Sequence, residues 1–285
     1  MSRANSRNYA FPLWMFVPAA IAVLVVVGPL LGLVIKIPWH RAEELLSAPS
    51  AVAALKLSLG TAVTATVLCI LVGLPLSLLL AQWARHRGES RGGRGSTLIP
   101  VMGGGVAFVV YAPLVLSPVV SGLALMYFWG RNGLLGQFLA SMGLSVSFTP
   151  WAVVLAQVFV SLPFFVSTAV TALSSIPRRF EEIAATEGAR RGEIMRKVLL
   201  PIAAPGLITA SLLSFARALG EFGATITFAG NIDGVTRTIP LNIELGLSSD
   251  DVDAALGSCI MLLALYIVVV ALLVLARWLG GLRQR

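Results

Sequence analysis

Residues 182–201 read EIAATEGARRGEIMRKVLLP, a charged run set between two long apolar segments. Half of its twenty residues are Gly, Thr or charged. Its apolar residues nevertheless recur at helical spacing: Phe180, Ile183 and Ala184 before Gly188, then Met195, Val198 and Leu199 after it. The pattern predicts two short amphipathic helices joined at a glycine. Such an object cannot lie in hydrocarbon, so it belongs on one side of a membrane and offers an apolar stripe to something else.

Composition supplies the membrane. Of 285 residues, 57% are hydrophobic and 12% charged, and the mean hydropathy is +0.89; a soluble domain carries about 25% charged residues. The net charge of +8 would point to nucleic acid in a soluble chain. Here its distribution points to membrane topology instead, and no nucleic-acid partner is expected. Cys69 and Cys259 both fall in apolar segments and read as reduced packing residues. His40 and His86 stand apart from any cluster at metal-ligand spacing, so no metal site is expected. No phosphate-binding G-x-x-x-x-G-K-[ST] run occurs, so the chain is not expected to bind ATP by a P-loop. Nor does any residue set form a catalytic constellation. The glycines at 92–93 and 103–105 lack a strand-to-helix setting and read as turns or close-packing points.

The apolar pattern predicts one all-α domain over 1–285 with six membrane-spanning helices. The first covers 11–35, too long for the core of a cleaved signal peptide. The second covers 57–83, with Gly73 and Pro75 as kink candidates. A Gly- and Arg-rich loop over 84–96 precedes the third helix, placed at 107–128 with a break at Gly103, Gly104 and Gly105 and with Pro113 and Pro118 inside it. The fourth covers 150–173, after a loop at 130–149 with a short apolar turn. The insert follows at about 174–200. The fifth opens at Pro201 and Pro205 and runs to 228, a polar outer loop occupies about 229–253, and the sixth covers 254–279.

Six spans put both termini on one side. Fifteen of the 21 Lys and Arg residues fall on the side of the termini and the insert, four on the other, and Lys56 and Arg217 lie in or at the edge of spans. The positive-inside rule therefore makes the termini and the insert cytoplasmic. Asp233, Asp250, Asp251 and Asp253 gather in the last outer loop, which reads either as a solvated loop or as a docking face for an extracytoplasmic partner.

Arg217 and Glu221 stand four residues apart within the fifth span. Counted from Pro205 at ~1.5 Å per residue, Arg217 lies near the bilayer centre, where an unpaired Arg costs about 2.5–3.5 kcal/mol. The pair must therefore face protein or water. It either neutralises itself inside the bundle or, with Gly220, Gly223, Thr225 and Thr227, lines a polar path for an anion.

The insert resembles that of the membrane subunits of ABC-type importers, whose signature is Glu-Ala-Ala, three residues, Gly, nine residues, an aliphatic, any residue and Leu-Pro. Glu182, Ile183, Ala184, Gly188, Val198, Leu200 and Pro201 fit that spacing, with Ile183 in place of the first Ala and Ala189 following the glycine. The resemblance implies the type I importer permease fold in a bacterial inner membrane. It also implies a homodimer, two ABC ATPase subunits that bind ATP and Mg and receive the insert as a coupling helix, and an extracytoplasmic oxyanion-binding protein. Membrane lipid is the remaining partner, and no cofactor is implied for this chain. Residues 215–240, FARALGEFGATITFAGNIDGVTRTIP, look like the matching region of molybdate permeases, with a looser version in sulfate and thiosulfate permeases. Molybdate or tungstate is the implied cargo, and sulfate or thiosulfate the alternative. A membrane scaffold that recruits a partner through the insert without transport, and a hairpin resting on lipid headgroups, are the readings outside the family.

Overall fold

The computed structural model describes residues 13–89 and 98–282, and these hold helices and no strand. By backbone contacts the chain divides into a unit over 1–44 and a larger unit from Leu45 onward. The first carries α1 (Phe16–Lys36), apolar on every side with no residue buried, as a helix in hydrocarbon requires. A short 3₁₀ turn over Trp39–Arg41 leads to α2 (Ala42–Ser47).

The larger unit is built around α3 (Pro49–Glu89) and α7 (Pro150–Ser174), which pack along much of their length. Gly73 makes that approach close: a methyl there would lie 2.7 Å from Cδ1 of Phe165 on α7. Ala62, Ala65 and Cys69 of α3 and Val154, Val166 and Ala169 of α7 are buried, so small residues set the separation. The helix α3 is longer at both ends than its apolar pattern suggests. It takes in Arg85 and Arg87, expected in a loop; the glycines at 92–93 lie outside the described residues.

The third span is corrected by the structure. The helix α4 (Leu98–Val115) runs without interruption through Gly103, Gly104 and Gly105, the expected break. The chain breaks instead before Pro118, and α5 (Pro118–Trp129) departs at 119° to the end of α4. Pro118 has no N–H to continue α4, and Ser117 accepts a bond from Val120 N as the cap of α5. Val106 and Tyr111 of α4 pack beside Leu80 and Phe165, whereas Leu125 and Trp129 of α5 pack beside Ala152 at the start of α7. The bent pair thus crosses the unit from one end to the other. Five helices among the described residues are long and apolar enough to span a membrane, and the bent pair makes the sixth.

The segment after α7 holds α8 (Arg179–Thr186), α9 (Arg191–Ile194) and a π-helical turn at Met195–Leu199. The turn passes into α10 (Leu200–Leu219) with helical backbone at both junctions. The helix of the fifth span therefore opens at Arg191, within the insert, rather than at Pro201. Leu200 N–H bonds five residues back to the Met195 carbonyl, so the wider π turn absorbs the bond that Pro201, one residue on, cannot donate.

The expectation of one continuous fifth helix to residue 228 is also corrected. The span breaks over residues 220–222 and resumes as α11 (Gly223–Ala229). The loop expected on the outer side contains an unexpected helix, α12 (Ile239–Ser248), before α13 (Val252–Leu282). Ile239 and Leu241 of α12 are buried, and Ser58 Oγ of α3 accepts from Ile239 N at 2.8 Å. The short helix α6 (Gly136–Ser141) occupies the loop expected to hold an apolar turn.

Candidate functional site

Gly188 makes the turn of the insert possible. Its φ is +83°, a left-handed conformation that costs an L side chain about 1–2 kcal/mol. Gly188 N–H bonds to the Ala185 carbonyl and Ala189 N–H to that of Ala184, each at 3.0 Å. This is a Schellman closure of α8, which satisfies two carbonyls that the helix end leaves open. The next helix is capped at once: Arg190 N–H donates to Glu193 Oε2 at 3.0 Å, and Lys197 Nζ lies 3.2 Å from Glu193 Oε1. Those two partners, the Arg190 amide first, hold the Glu193 carboxyl below its ordinary pKa.

The turn leaves Phe180 and Ile183 at the surface of α8, with Ile183 59% exposed. Glu182 is also exposed; Ala184, Ala189, Val198 and Leu200 are half-buried, and Pro201 is exposed. The insert is anchored by Leu199, which belongs to a buried cluster with Ala81 of α3, Leu173 of α7, Ile176 and Ala203 of α10. A cavity of about 500 Å³ opens between the insert and α3, with Gln82, Arg178, Glu182, Arg191, Met195 and Leu199 among its walls. The importer signature contains Val198 and Leu200 but passes over Leu199. The signal that finds Leu199 is the apolar spacing, since it continues the stripe of Met195 one turn on.

The second candidate element is the break after α10. Arg217 sits in the last turn of α10, where its cation faces the negative end of the helix dipole. Its Nη1 lies 2.8 Å from Glu221 Oε2, and the other Glu221 oxygen accepts from Ala224 N at 2.7 Å. Glu221 thus ties the end of α10 to the start of α11. It is 1% exposed, whereas the Arg217 side chain is 30% exposed. The expected pair is real, but it bridges two helices rather than lying along one.

The two broken spans meet at their breaks. A methyl on Gly223 would collide with Cβ of Pro118, the first residue of α5, and one on Gly122 would lie 2.6 Å from Cβ of Thr227. Gly220 is covered by the hydroxyl of Tyr266 on α13. The segment's small residues are therefore where α5 and α13 come close. Of the predicted path residues, Glu221, Gly223 and Thr225 are buried within the chain, while Arg217, Gly220 and Thr227 are half-buried. The Thr227 hydroxyl bonds to the Gly223 carbonyl. Sequence reasoning missed Pro118 and Tyr266 as partners of this break. A lone tyrosine in the apolar run of α13 was the visible signal for the last.

Beyond the break, Arg237 lies 3.0 Å from Asp233 Oδ1 and donates from Nε to Asn231 Oδ1 at 2.9 Å. Asn231 Nδ2 in turn donates to the Leu241 carbonyl. Asp251 Oδ1 accepts from Ala254 N at the start of α13. Asp233 is thus held within the loop and Asp251 at its junction with α13.

Residues 105–285 match the family described as binding-protein-dependent transport system inner membrane component. The molybdenum transport system permease protein ModB of Mycobacterium tuberculosis is 44% identical over 263 residues, 92% of each chain. The sulfate transport system permease protein CysT of Salmonella typhimurium is 34% identical over 244 residues, 85% of this chain and 83% of its own. Among solved structures, a bacterial ABC transporter involved in the import of the acidic polysaccharide alginate superposes with a TM-score of 0.64 at 20% identity. The match covers 94% of this chain and 93% of that one, a likeness of fold.

Proposed function

The chain belongs to the family of inner membrane components of binding-protein-dependent transport systems, and from that premise we propose that it is the permease subunit of an ATP-driven molybdate importer. Tungstate, of the same charge and shape, is the neighbouring cargo. The ATP is hydrolysed by separate subunits. Two copies of this chain form the membrane pore, two ATPase subunits meet the two inserts on the cytoplasmic side, and an extracytoplasmic binding protein delivers the oxyanion to the opposite face. Both termini lie in the cytoplasm with the insert, in keeping with the excess of cations on that side.

One observation carries the mechanism: the helix that leaves the Gly188 turn at Arg191 runs on through the π turn to Leu219, 29 residues in all, and ends at the Arg217–Glu221 bridge. A partner that moves the exposed face of α8 acts on a rigid rod of about 40 Å at ~1.5 Å per residue. The far end of that rod is the break where α5, α10, α11 and α13 meet. Glu182, Ile183, Ala184, Gly188 and Ala189 form the docking side, and Val198, Leu200 and Pro201 pass the motion into the span. Arg217, Gly220 and Thr227 are the members of the break with access to a passing anion. Glu221, Gly223 and Thr225 shape it from within.

The relatives support molybdate over sulfate by identity and by coverage, and the sulfate relative supports the runner-up. Uptake of labelled molybdate into vesicles, with tungstate and sulfate as competitors, separates the two. Competition by tungstate alone supports the proposal, and equal competition by sulfate replaces it with the runner-up.

A further inference from the structure

The face of the larger unit opposite the insert carries a groove that neither coupling nor the path accounts for. It lies between the first turns of α3 and the start of α7, has a volume of about 370 Å³, and is lined by Lys56, Gly60, Thr61, Thr64, Trp151 and Val154 among others. A side chain added at Gly60 would meet nothing within 4 Å, so the groove is open there. The Thr61 and Thr64 hydroxyls bond to carbonyls of their own helix, those of Leu57 and Gly60, both at 2.8 Å. The floor therefore presents methyls rather than hydroxyls. At the mouth stand Lys56, exposed and without an ion pair among the described residues, and Trp151, 61% exposed.

Depth follows from α7. It has 25 residues, about 37 Å at ~1.5 Å per residue, against a hydrocarbon core of about 30 Å. Trp151 is its second residue, which places the indole at headgroup level, where amphipathic aromatic rings concentrate. Lys56 shares the groove with it and so stands at the same level, with its stem along apolar surface and its ammonium toward phosphate. From Lys56 the same face of α3 continues through Gly60, Thr64, Val67 and Leu71, a stripe with steps of three and four residues. Val67 is 48% exposed and Leu71 63%. The stripe is about 22 Å long, more than the roughly 15 Å of one leaflet's hydrocarbon.

We propose that this groove is a binding site for an anionic phospholipid of the leaflet opposite the insert. Its phosphate pairs with Lys56 beside Trp151, and one acyl chain lies over Gly60 along α3 toward Leu71. Three features favour a phospholipid: an unpaired cation, an apolar channel continuous with that cation, and a position where headgroup and chain meet. A soluble anion would use the first and leave the other two unexplained.

The site does not depend on the cargo. The test is native mass spectrometry of the purified full chain in detergent, titrated separately with phosphatidylglycerol and phosphatidylcholine. The wild-type chain is expected to retain phosphatidylglycerol about fivefold more strongly, the effect of one lysine near a phosphate. Lys56→Gln should reduce that preference to parity. Gly60→Leu, which fills open space and leaves the fold intact, should remove one bound lipid of either kind. Two results overturn the proposal: an unchanged phosphatidylglycerol preference in Lys56→Gln, or an unchanged lipid count in Gly60→Leu. Disulfide formation between two copies of Thr64→Cys in lipid-replete membranes also overturns it, because a second copy would then cover the groove.

Discussion

Glu221 and Arg217 face each other at 2.8 Å across the end of α10, one almost wholly enclosed and the other nearly a third exposed. That asymmetry predicts unequal effects of removing them. Arg217→Ala leaves a carboxylate enclosed without its cation, and breaking such a pair costs about 3–5 kcal/mol. Glu221→Ala leaves a cation that can reach water, and loses a cap worth about 1 kcal/mol. Thermal unfolding in detergent should rank Arg217→Ala as the less stable, with the double replacement losing less than the two single losses combined. Equal losses would show that the pair does not set the break.

The contact of Gly223 with Pro118 predicts a paired effect. Gly223→Ala forces its methyl into the proline ring, and overpacking of this kind costs about 1–3 kcal/mol. Pro118→Gly in the same chain, which removes the Cβ that the methyl meets, should restore part of that loss, read as recovered thermal stability and uptake. Additive losses would mean that the two breaks do not pack on one another.

Gly188 adopts φ +83° with open space around it, so backbone conformation alone decides what it tolerates. Gly188→Ala should weaken the turn by about 1 kcal/mol, and Gly188→Asn by less, since Asn visits this region more readily. ATPase activity stimulated by the permease should follow the same order, Gly above Asn above Ala. An alanine variant with full stimulation would show that the turn is not under this constraint.

The lowered pKa of Glu193 predicts a pH response in the insert. The folded carboxyl holds its proton less tightly than the unfolded one, so its contribution is present above the unfolded pKa and fades as pH falls through the folded value. Hydrogen exchange at the Arg190 amide, after correction for intrinsic rates, should lose protection as acid protonates Glu193. Glu193→Gln should flatten that dependence. A wild-type profile already flat would show that the cap does not close the insert.

Much of this architecture is legible in the sequence, for identifiable reasons. The insert announces itself because charge, a glycine needing a left-handed turn and a helical apolar stripe occur together in a chain otherwise fit for hydrocarbon. The fourth span is legible because Pro150 starts it and an apolar run of one bilayer thickness follows. The breaks are not legible. Pro113 lies inside α4 and Pro205 inside α10 without ending either helix, so proline alone does not locate a break. What sets Pro118 apart from those prolines is that the two breaks pack on one another, Pro118 against Gly223 and Gly122 against Thr227, distant pairs that no local window contains. The helix α12 was hidden for a similar reason. Its buried face depends on Ser58, 181 residues earlier, while the acids near it read as loop. The Arg217–Glu221 pair was visible as a charge anomaly, but only the fold shows that it joins two helices.

The central claim is that this chain carries molybdate inward under power from a partner ATPase. The most direct measurement is uptake of labelled molybdate into vesicles holding the chain and its ATPase, with the binding protein on the face opposite the insert. The account predicts accumulation that requires ATP, is competed by tungstate and not by equal sulfate, and is lost in Gly188→Glu. ATP-dependent accumulation of sulfate without molybdate, or no ATP-dependent accumulation of either anion, would contradict it.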